Sequence, residues 1–457
     1  MPWRRPESAI GARAKRGEAI VAVATPAGAG AIGIVRVSGS NLDPLLKGIL
    51  GGPLPPRQAV LALFRDVAGT VIDQGLALHF PAPASFTGED MLELQGHGGT
   101  AVLTRLVHAC MAFGARAAEP GEFTLRAFLN DKINLAQAEA ISDLIAASTE
   151  EAARCAVRSL TGEFSRAIDD LRQELLDLRV LVEGTLDFPD EEIDFLEAAD
   201  ARGRLQRLRQ RLAATLQAAQ QGSLLREGIR VVLAGKPNVG KSSLLNRLAG
   251  EELAIVTDIP GTTRDAIRQT LQIQGVPMQV IDTAGLRESA DAVERIGIER
   301  AWTALESADV VVRMREAGAQ ESEETGWERL PASIPRIEVI NKIDLTGEAA
   351  RLETSDAAMR VWLSARSGAG VEYLEKALLT TVGWQGREEG VFMARARHLE
   401  ALRAAEVLVG DAEIESGGLE LLAEHLRLAH DALGSILGVD TADDLLGEIF
   451  ARFCIGK

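Results

Sequence analysis

Aromatic side chains make up only 4% of the 457 residues, and a single tyrosine is among them. So small a supply leaves no broad platform on which successive bases of a nucleic-acid strand could stack. The three cysteines, Cys110, Cys155 and Cys454, are odd in number and far apart. That argues against a disulfide framework and against a thiolate metal cage, and it makes the cytoplasm the expected compartment. No uninterrupted apolar run reaches the roughly 18 residues of a spanning helix, so we expect no membrane crossing. Positive charge is in deficit: 66 acids against 49 bases give a formal charge of -17, the wrong overall sign for a protein that coats a phosphate backbone. Any nucleic-acid contact must be local or shared with a partner.

What is present is an ordinary globular composition, 46% hydrophobic and 25% charged, over a length that suggests about three domains at one per roughly 150 residues. Residues 1–17 carry Arg4, Arg5, Arg13, Lys15 and Arg16 but no apolar core, and we expect a disordered extension. An organellar presequence is also basic, but Glu7 and Glu18 count against it. Over residues 18–130, short apolar runs such as "AIGIVRVSG", "GLALHF" and "MLELQG" read as strands, and "AVLTRLVHACMAFG" as a helix closed by a glycine, giving a mixed α/β module. Asn134 followed by Gln137 has the form of a capping box. From there the chain reads as helical over 131–225 and again over 385–457, with Leu171, Leu175, Leu178 and Val182 on one helical face. In "DFPDEEID" Pro189 ends a helix, and the five carboxylates suit either a divalent site or, as we expect, a solvated helix start. Between the two helical segments, at 226–384, strands and helices alternate in the manner of a mostly parallel sheet.

"GKPNVGKS", Gly235 to Ser242, fits a phosphate loop between an apolar strand and a helix, with Lys241 for the terminal phosphates and the Ser242 hydroxyl for Mg2+. Its companions follow in order. "DTAG", Asp282 with Thr283, Ala284 and Gly285, ends the next strand, where the carboxylate serves the magnesium shell and a glycine amide the γ-phosphate. "NKID", with Asn341, Lys342 and Asp344, supplies a carboxylate for guanine N1 and its exocyclic amine, donors that adenine lacks. "SAR", Ser364, Ala365 and Arg366, backs the base. Four elements in this sequence make GTP the ligand. Where Ras-like enzymes carry a water-orienting glutamine this chain has Leu286, so hydrolysis must recruit another group. Asn238 lies in the phosphate loop beside Val239, Gly240 and Ser243. The switch loop "TDIPGTTRD", comprising Thr257, Asp258, Ile259, Pro260, Gly261, Thr262 and Thr263 before Arg264 and Asp265, has carbonyls that can enclose a monovalent cation near the β,γ-bridge.

With "ATPAGAGAIGIVRVSG", "FTGEDMLELQGHGG", "PGEFTLRAFLNDKINLAQAEAISDLI", "TDIPGTTRD", "VERIGIERA" and "FCIGK" in register, the chain from about Ile20 onward resembles the tRNA-modification GTPases usually called MnmE or TrmE. The resemblance implies a multidomain α/β plus all-α protein: an amino-terminal folate-binding-like and dimerisation domain, a discontinuous helical domain, and an inserted Ras-like P-loop G domain. It implies potassium held by Asn238, Thr257, Ile259 and Thr262, magnesium held by Ser242 and Thr263, and an attacking water positioned by Glu294. A tetrahydrofolate derivative (5-formyl or 5,10-methylene) would meet Arg36, Glu93, Lys132 and Lys457. Cys454 would stand near the one-carbon unit or the target uridine as a candidate nucleophile. The implied product is an aminomethyl or carboxymethylaminomethyl group on C5 of the wobble uridine of certain tRNAs. It would be made by a homodimer working with a flavin- and NADH-binding partner, since this chain has no dinucleotide fingerprint of its own.

Cys110 and Cys155 read as core residues, and His97, between glycines, as a turn residue. Arg313 and Arg315 sit at a strand end where an apolar stretch closing on an acid is expected. A GTP-gated ribosome or RNA assembly factor without covalent chemistry would share the G domain, but it needs neither the amino-terminal module nor the terminal cysteine. A metabolic folate enzyme with a regulatory G domain would act without tRNA.

Overall fold

A computed structural model describes residues 17–187, 200–251, 268–282, 308–319, 334–355, 359–386, 390–412, 418–439, 443–451, 453 and 456. The chain divides into two units, residues 1–142 with 431–457, and residues 143–430.

The first unit holds a six-stranded sheet made of β1 (Ile20–Val23), β2 (Gly30–Gly39), β3 (Val60–Arg65), β4 (Val71–Phe80), β5 (Asp90–Gly98) and β6 (Arg116–Ala117), in the order β3-β4-β5-β2-β1-β6. Alternation along the strands sends Val35, Val37, Leu92 and Leu94 to one face. There Leu45 and Ile49 of the helix Asp43–Leu50, and Leu106 and Cys110 of the helix Thr100–Ala112, complete a buried cluster. The opposite parity, Arg36, Glu93 and Gln95, is only half buried.

Both halves of the capping box form: the Gln137 amide donates to Asn134 Oδ1 at 2.9 Å, and the Asn134 amide donates to Gln137 Oε1 at 3.1 Å. They open the helix Leu135–Ala146. Residues 131–142 and 431–457, grouped with the helical segments in the sequence reading, belong to this first unit. The reason is packing: Phe128 and Leu135 share a buried cluster with Ile449, Phe450 and Phe453. The tail is anchored further out as well. Gly456 is buried at φ 93°, and a Cβ there would strike the Val23 carbonyl at the end of β1.

The second unit holds a seven-stranded sheet in the order β12-β13-β11-β10-β7-β9-β8. Its strands are β7 (Ile229–Ala234), β8 (Arg268–Ile273), β9 (Val276–Asp282), β10 (Val310–Glu316), β11 (Arg336–Asn341), β12 (Arg351–Thr354) and β13 (Met359–Trp362). The run β13-β11-β10-β7-β9 is parallel, and β8 and β12 join its edges antiparallel. The mostly parallel sheet expected from the alternating pattern is therefore present. The helix Lys241–Glu251 follows β7, and Val371–Thr381 follows β13.

In the same unit, Leu171, Leu175, Leu178 and Val182 are all buried along the helix Glu163–Asp187, and Phe164 stacks on Phe392 with centroids 4.6 Å apart. The chain leaves the helices at Arg226, in the last turn of Ala201–Glu227, and returns at Arg395, which caps Ala396–Asp411. Asp143 holds both places: its Oδ1 accepts from Arg226 Nε at 3.0 Å and from Arg395 Nη2 at 2.7 Å. Arg315 also finds a partner, donating to Glu338 at 2.8 Å, while Arg360 takes the other oxygen of that carboxylate at 2.8 Å. The strand end that looked anomalous in sequence is thus a charged ladder across β10, β11 and β13.

His97 is not a turn residue. It lies in β5, where its backbone amide and Nδ1 meet the two oxygens of Asp73, each at 2.8 Å. Its glycine neighbour has a different purpose, since a Cβ on Gly96 would collide with Asp73 Oδ2.

Candidate functional site

The second unit builds a nucleotide site at the carboxyl ends of β7, β11 and β13. β7 is buried on both faces, with Val231, Val232 and Leu233 at 0–1% exposure, so the chain must turn sharply where the strand runs out. It does so through Gly235 to Gly240, with Asn238 left-handed at φ 65° and its side chain exposed. The helix then starts at Lys241, which directs its first-turn amides and the exposed Ser242 and Ser243 back toward the loop. The Lys241 ammonium lies over the loop, donating to the Gly235 carbonyl at 2.8 Å and to that of Lys236 at 3.2 Å. Such a loop can cradle phosphate oxygens with backbone amides while one lysine counters their charge.

The base-reading half stands next to it. Asn341, 2% exposed, ends β11 and works in both directions: its Nδ2 donates to the Val239 carbonyl at 2.7 Å, and its Oδ1 accepts from the Ala365 amide at 2.9 Å. Asp344 is exposed, and the buried Ser364 donates to its Oδ1 at 2.6 Å. A carboxylate fixed in this way can accept from two adjacent donors on one edge of a base. Lys342 is left-handed at φ 68° and pairs with Glu316 at 3.2 Å. β9 reaches Asp282 in register with Leu233 of β7, which brings the start of "DTAG" to the same sheet end.

In the first unit, Arg36 on β2 and Glu93 on β5 are cross-strand partners. Arg36 Nε and Nη2 donate to Glu93 Oε1 at 3.1 and 2.9 Å. Lys132 donates to the Pro83 carbonyl at 3.0 Å. Sequence reasoning did not foresee the charged network beneath them. Buried Arg126 donates to Glu89 at 2.8 Å and to Glu122 at 3.0 Å, Arg116 donates to Glu122 at 2.6 Å, and Ser38 donates to Glu89 at 2.9 Å. Burial would raise the Glu122 carboxyl, but hydrogen bonds from Arg116 and the Glu119 amide, with the charges of Arg126 and Arg116, hold it below the usual carboxylate range. The only forewarning was charge itself, Glu122 and Arg126 lying one helical turn apart.

Cys110 and Cys155 are buried as expected, and burial pushes their thiols up to about 12 and about 11. Several expected site residues lie outside the described residues: Thr257, Asp258, Ile259, Pro260, Gly261, Thr262 and Thr263, then Thr283, Ala284, Gly285, Leu286, Glu294, Cys454 and Lys457, together with Pro189 and most of its acidic stretch. Among the described residues no group of three or more His, Cys, Asp or Glu is placed to hold a metal ion, and no helix is long and apolar enough to cross a membrane.

Comparison with known proteins bears on both units. A sequence profile described as the MnmE helical domain matches residues 135–454, and one described as the GTP-binding protein TrmE N-terminus matches 19–132. A tRNA modification GTPase MnmE from Nitrosomonas europaea is 57% identical over 447 residues, covering 96% of this chain and 99% of its own length. One from Nitrosomonas eutropha is 56% identical over 450 residues, covering 97% and 100%. Among solved structures, Aquifex aeolicus Era bound to GDP and aluminium fluoride is 30% identical over 41% of this chain and 68% of its own, with a TM-score of 0.28.

Proposed function

Because the chain belongs to the MnmE family of tRNA modification GTPases, we propose that it uses potassium-stimulated GTP hydrolysis to drive attachment of an aminomethyl or carboxymethylaminomethyl group to C5 of the wobble uridine of certain tRNAs. The observation that carries the GTPase half is the hydrogen-bonded path from Val239 through Asn341 to Ala365, with Asp344 held by Ser364 beside it. It joins a phosphate cradle to a carboxylate suited to guanine.

Ser242, exposed in the first helical turn, fits a magnesium ligand, with Thr263 as its companion. The exposed Asn238, in a left-handed turn of the phosphate loop, fits a potassium ligand supported by Thr257, Ile259 and Thr262. Glu294 positions the attacking water in place of the absent glutamine.

In the first unit, the half-buried Arg36 and Glu93 supply a cation and a carboxylate for a tetrahydrofolate, assisted by Lys132 and Lys457. The folate supplies the one-carbon unit. Cys454 is the candidate nucleophile, and its sequence neighbours Phe453 and Gly456 are both buried. The protein acts in the cytoplasm as a homodimer with a flavin- and NADH-binding partner, which contributes the redox chemistry.

The test is GTP turnover in potassium chloride and in sodium chloride at matched ionic strength, with wild type and Asn238→Ala. A potassium preference that the substitution abolishes supports the reading. Equal rates in both salts would remove the cation from the mechanism.

A further inference from the structure

The base-backing loop is short and closes on itself. The Ser364 amide donates to the Ala369 carbonyl and the Gly368 amide to the Ser364 carbonyl, each at 2.9 Å, and the Ser367 amide donates to Ser364 Oγ at 3.2 Å. Its contact with Asp344 runs through the Ser364 hydroxyl. Where the loop stands therefore fixes where the guanine-reading carboxylate points.

Two ties hold this loop to the phosphate half of the site. One is Asn341, already described. The other is Arg247, in the second turn of the helix that begins at Lys241. Arg247 Nη2 donates to the Arg366 carbonyl at 2.7 Å, and Nε lies 3.5 Å from the Ala365 carbonyl. The first is a short, charge-assisted bond to a neutral acceptor. It comes from the helix whose first turn serves the phosphates, so the phosphate and base subsites are braced from two directions. The geometry points to Arg247 as a positioning residue for guanine specificity: it holds residues 364–366 so that Ser364 can orient Asp344.

The inference rests on the reading of Asp344 as the guanine acceptor. The two are separated by comparing GDP with IDP, whose hypoxanthine base keeps N1–H but lacks the exocyclic amine. An arginine that only stiffened the domain would, when removed, weaken both nucleotides alike. One that aims Asp344 would, when removed, weaken GDP more than IDP, because guanine sets two donors on that carboxylate and hypoxanthine only one.

The experiment uses the full chain with Arg247→Met, which keeps the aliphatic stem, and Arg247→Lys, which keeps one cationic donor. GDP and IDP affinities are measured by equilibrium fluorescence competition, alongside steady-state GTP turnover. For Arg247→Met we expect the GDP Kd to rise about tenfold, as for loss of one charge-assisted hydrogen bond. The IDP Kd should rise less, by about threefold, the KM for GTP should rise, and kcat should stay within about twofold. Arg247→Lys should restore most of the GDP preference. An equal loss for GDP and IDP, or an unchanged ratio, would overturn the assignment. A wild type that binds GDP and IDP alike would overturn the guanine reading and this inference with it. Should Arg247→Met fail to fold, Arg247→Gln is measured by the same criterion.

Discussion

Arg36 and Glu93 stand opposite one another on β2 and β5, and both guanidinium donors converge on a single carboxylate oxygen, Glu93 Oε1. Glu93 Oε2 accepts from Gln95 at 3.3 Å. Each side chain is therefore held by the other, and under the proposed folate reading the two act as one unit. We predict that Arg36→Ala and Glu93→Ala each weaken 5-formyltetrahydrofolate binding by about tenfold or more, and that the double variant loses less than the sum. Isothermal titration with the three variants checks this. Wild-type affinity in either single variant would remove that residue from the folate site.

Ser364 is predicted to matter for affinity rather than for chemistry. Removing its hydroxyl in Ser364→Ala deletes the 2.6 Å bond to Asp344 and leaves that exposed carboxylate free to rotate. The GDP dissociation constant should rise about five- to tenfold, as for loss of one typical hydrogen bond, with kcat at saturating GTP little changed. Stopped-flow release of a fluorescent GDP should show most of the change in the off-rate.

The thiols give a simple readout. Burial lifts Cys110 to about 12 and Cys155 to about 11, so at pH 8 at most about one in a thousand of either is thiolate, the reactive form. Native protein treated with an aromatic disulfide reagent should show no more than one fast thiol, lost in Cys454→Ser, whereas denatured protein should show all three cysteines. Two fast thiols on the native protein would contradict the burial.

Acid should destabilise the first unit through Glu122. Its folded carboxyl titrates below its unfolded value, so its contribution is fully present above the unfolded value of about 4.3 and is lost as pH falls through the folded one. Urea midpoints of the full chain should therefore fall as pH drops from 5 to about 3. In Glu122→Gln the midpoint at neutral pH should be lower, because buried Arg126 loses a charged partner, and the decline with acid should be shallower. Parallel pH profiles for the two proteins would refute the assignment.

Legibility in sequence followed the range of each signal. The capping pair Asn134 and Gln137, the leucine face of Glu163–Asp187 and the phosphate loop are encoded within a few residues, and each was readable. β8 and β12 carry a weaker local signal, because they are edge strands that join the sheet by antiparallel pairing. His97 was misread because flanking glycine usually means a turn, whereas Gly96 here makes room for a carboxylate from the adjacent strand. The charge on Arg315 looked out of place only while Glu338 and Arg360 were out of view. Arg247 left no trace at all, since its acceptors are backbone carbonyls more than a hundred residues away.

Asp143 gathers Arg226 and Arg395, the points where the chain departs into the nucleotide domain and comes back. Between them Gln221 adds a second clasp, donating to the Gly383 carbonyl and accepting from the Gln385 amide, each at 2.9 Å. A junction whose two strands are gathered this closely has the layout of a cassette. Whatever the length of chain between Arg226 and Arg395, the surrounding helices keep the same distance to span. Evolution by insertion and engineering by grafting both need such a mooring point, and here one aspartate provides most of it.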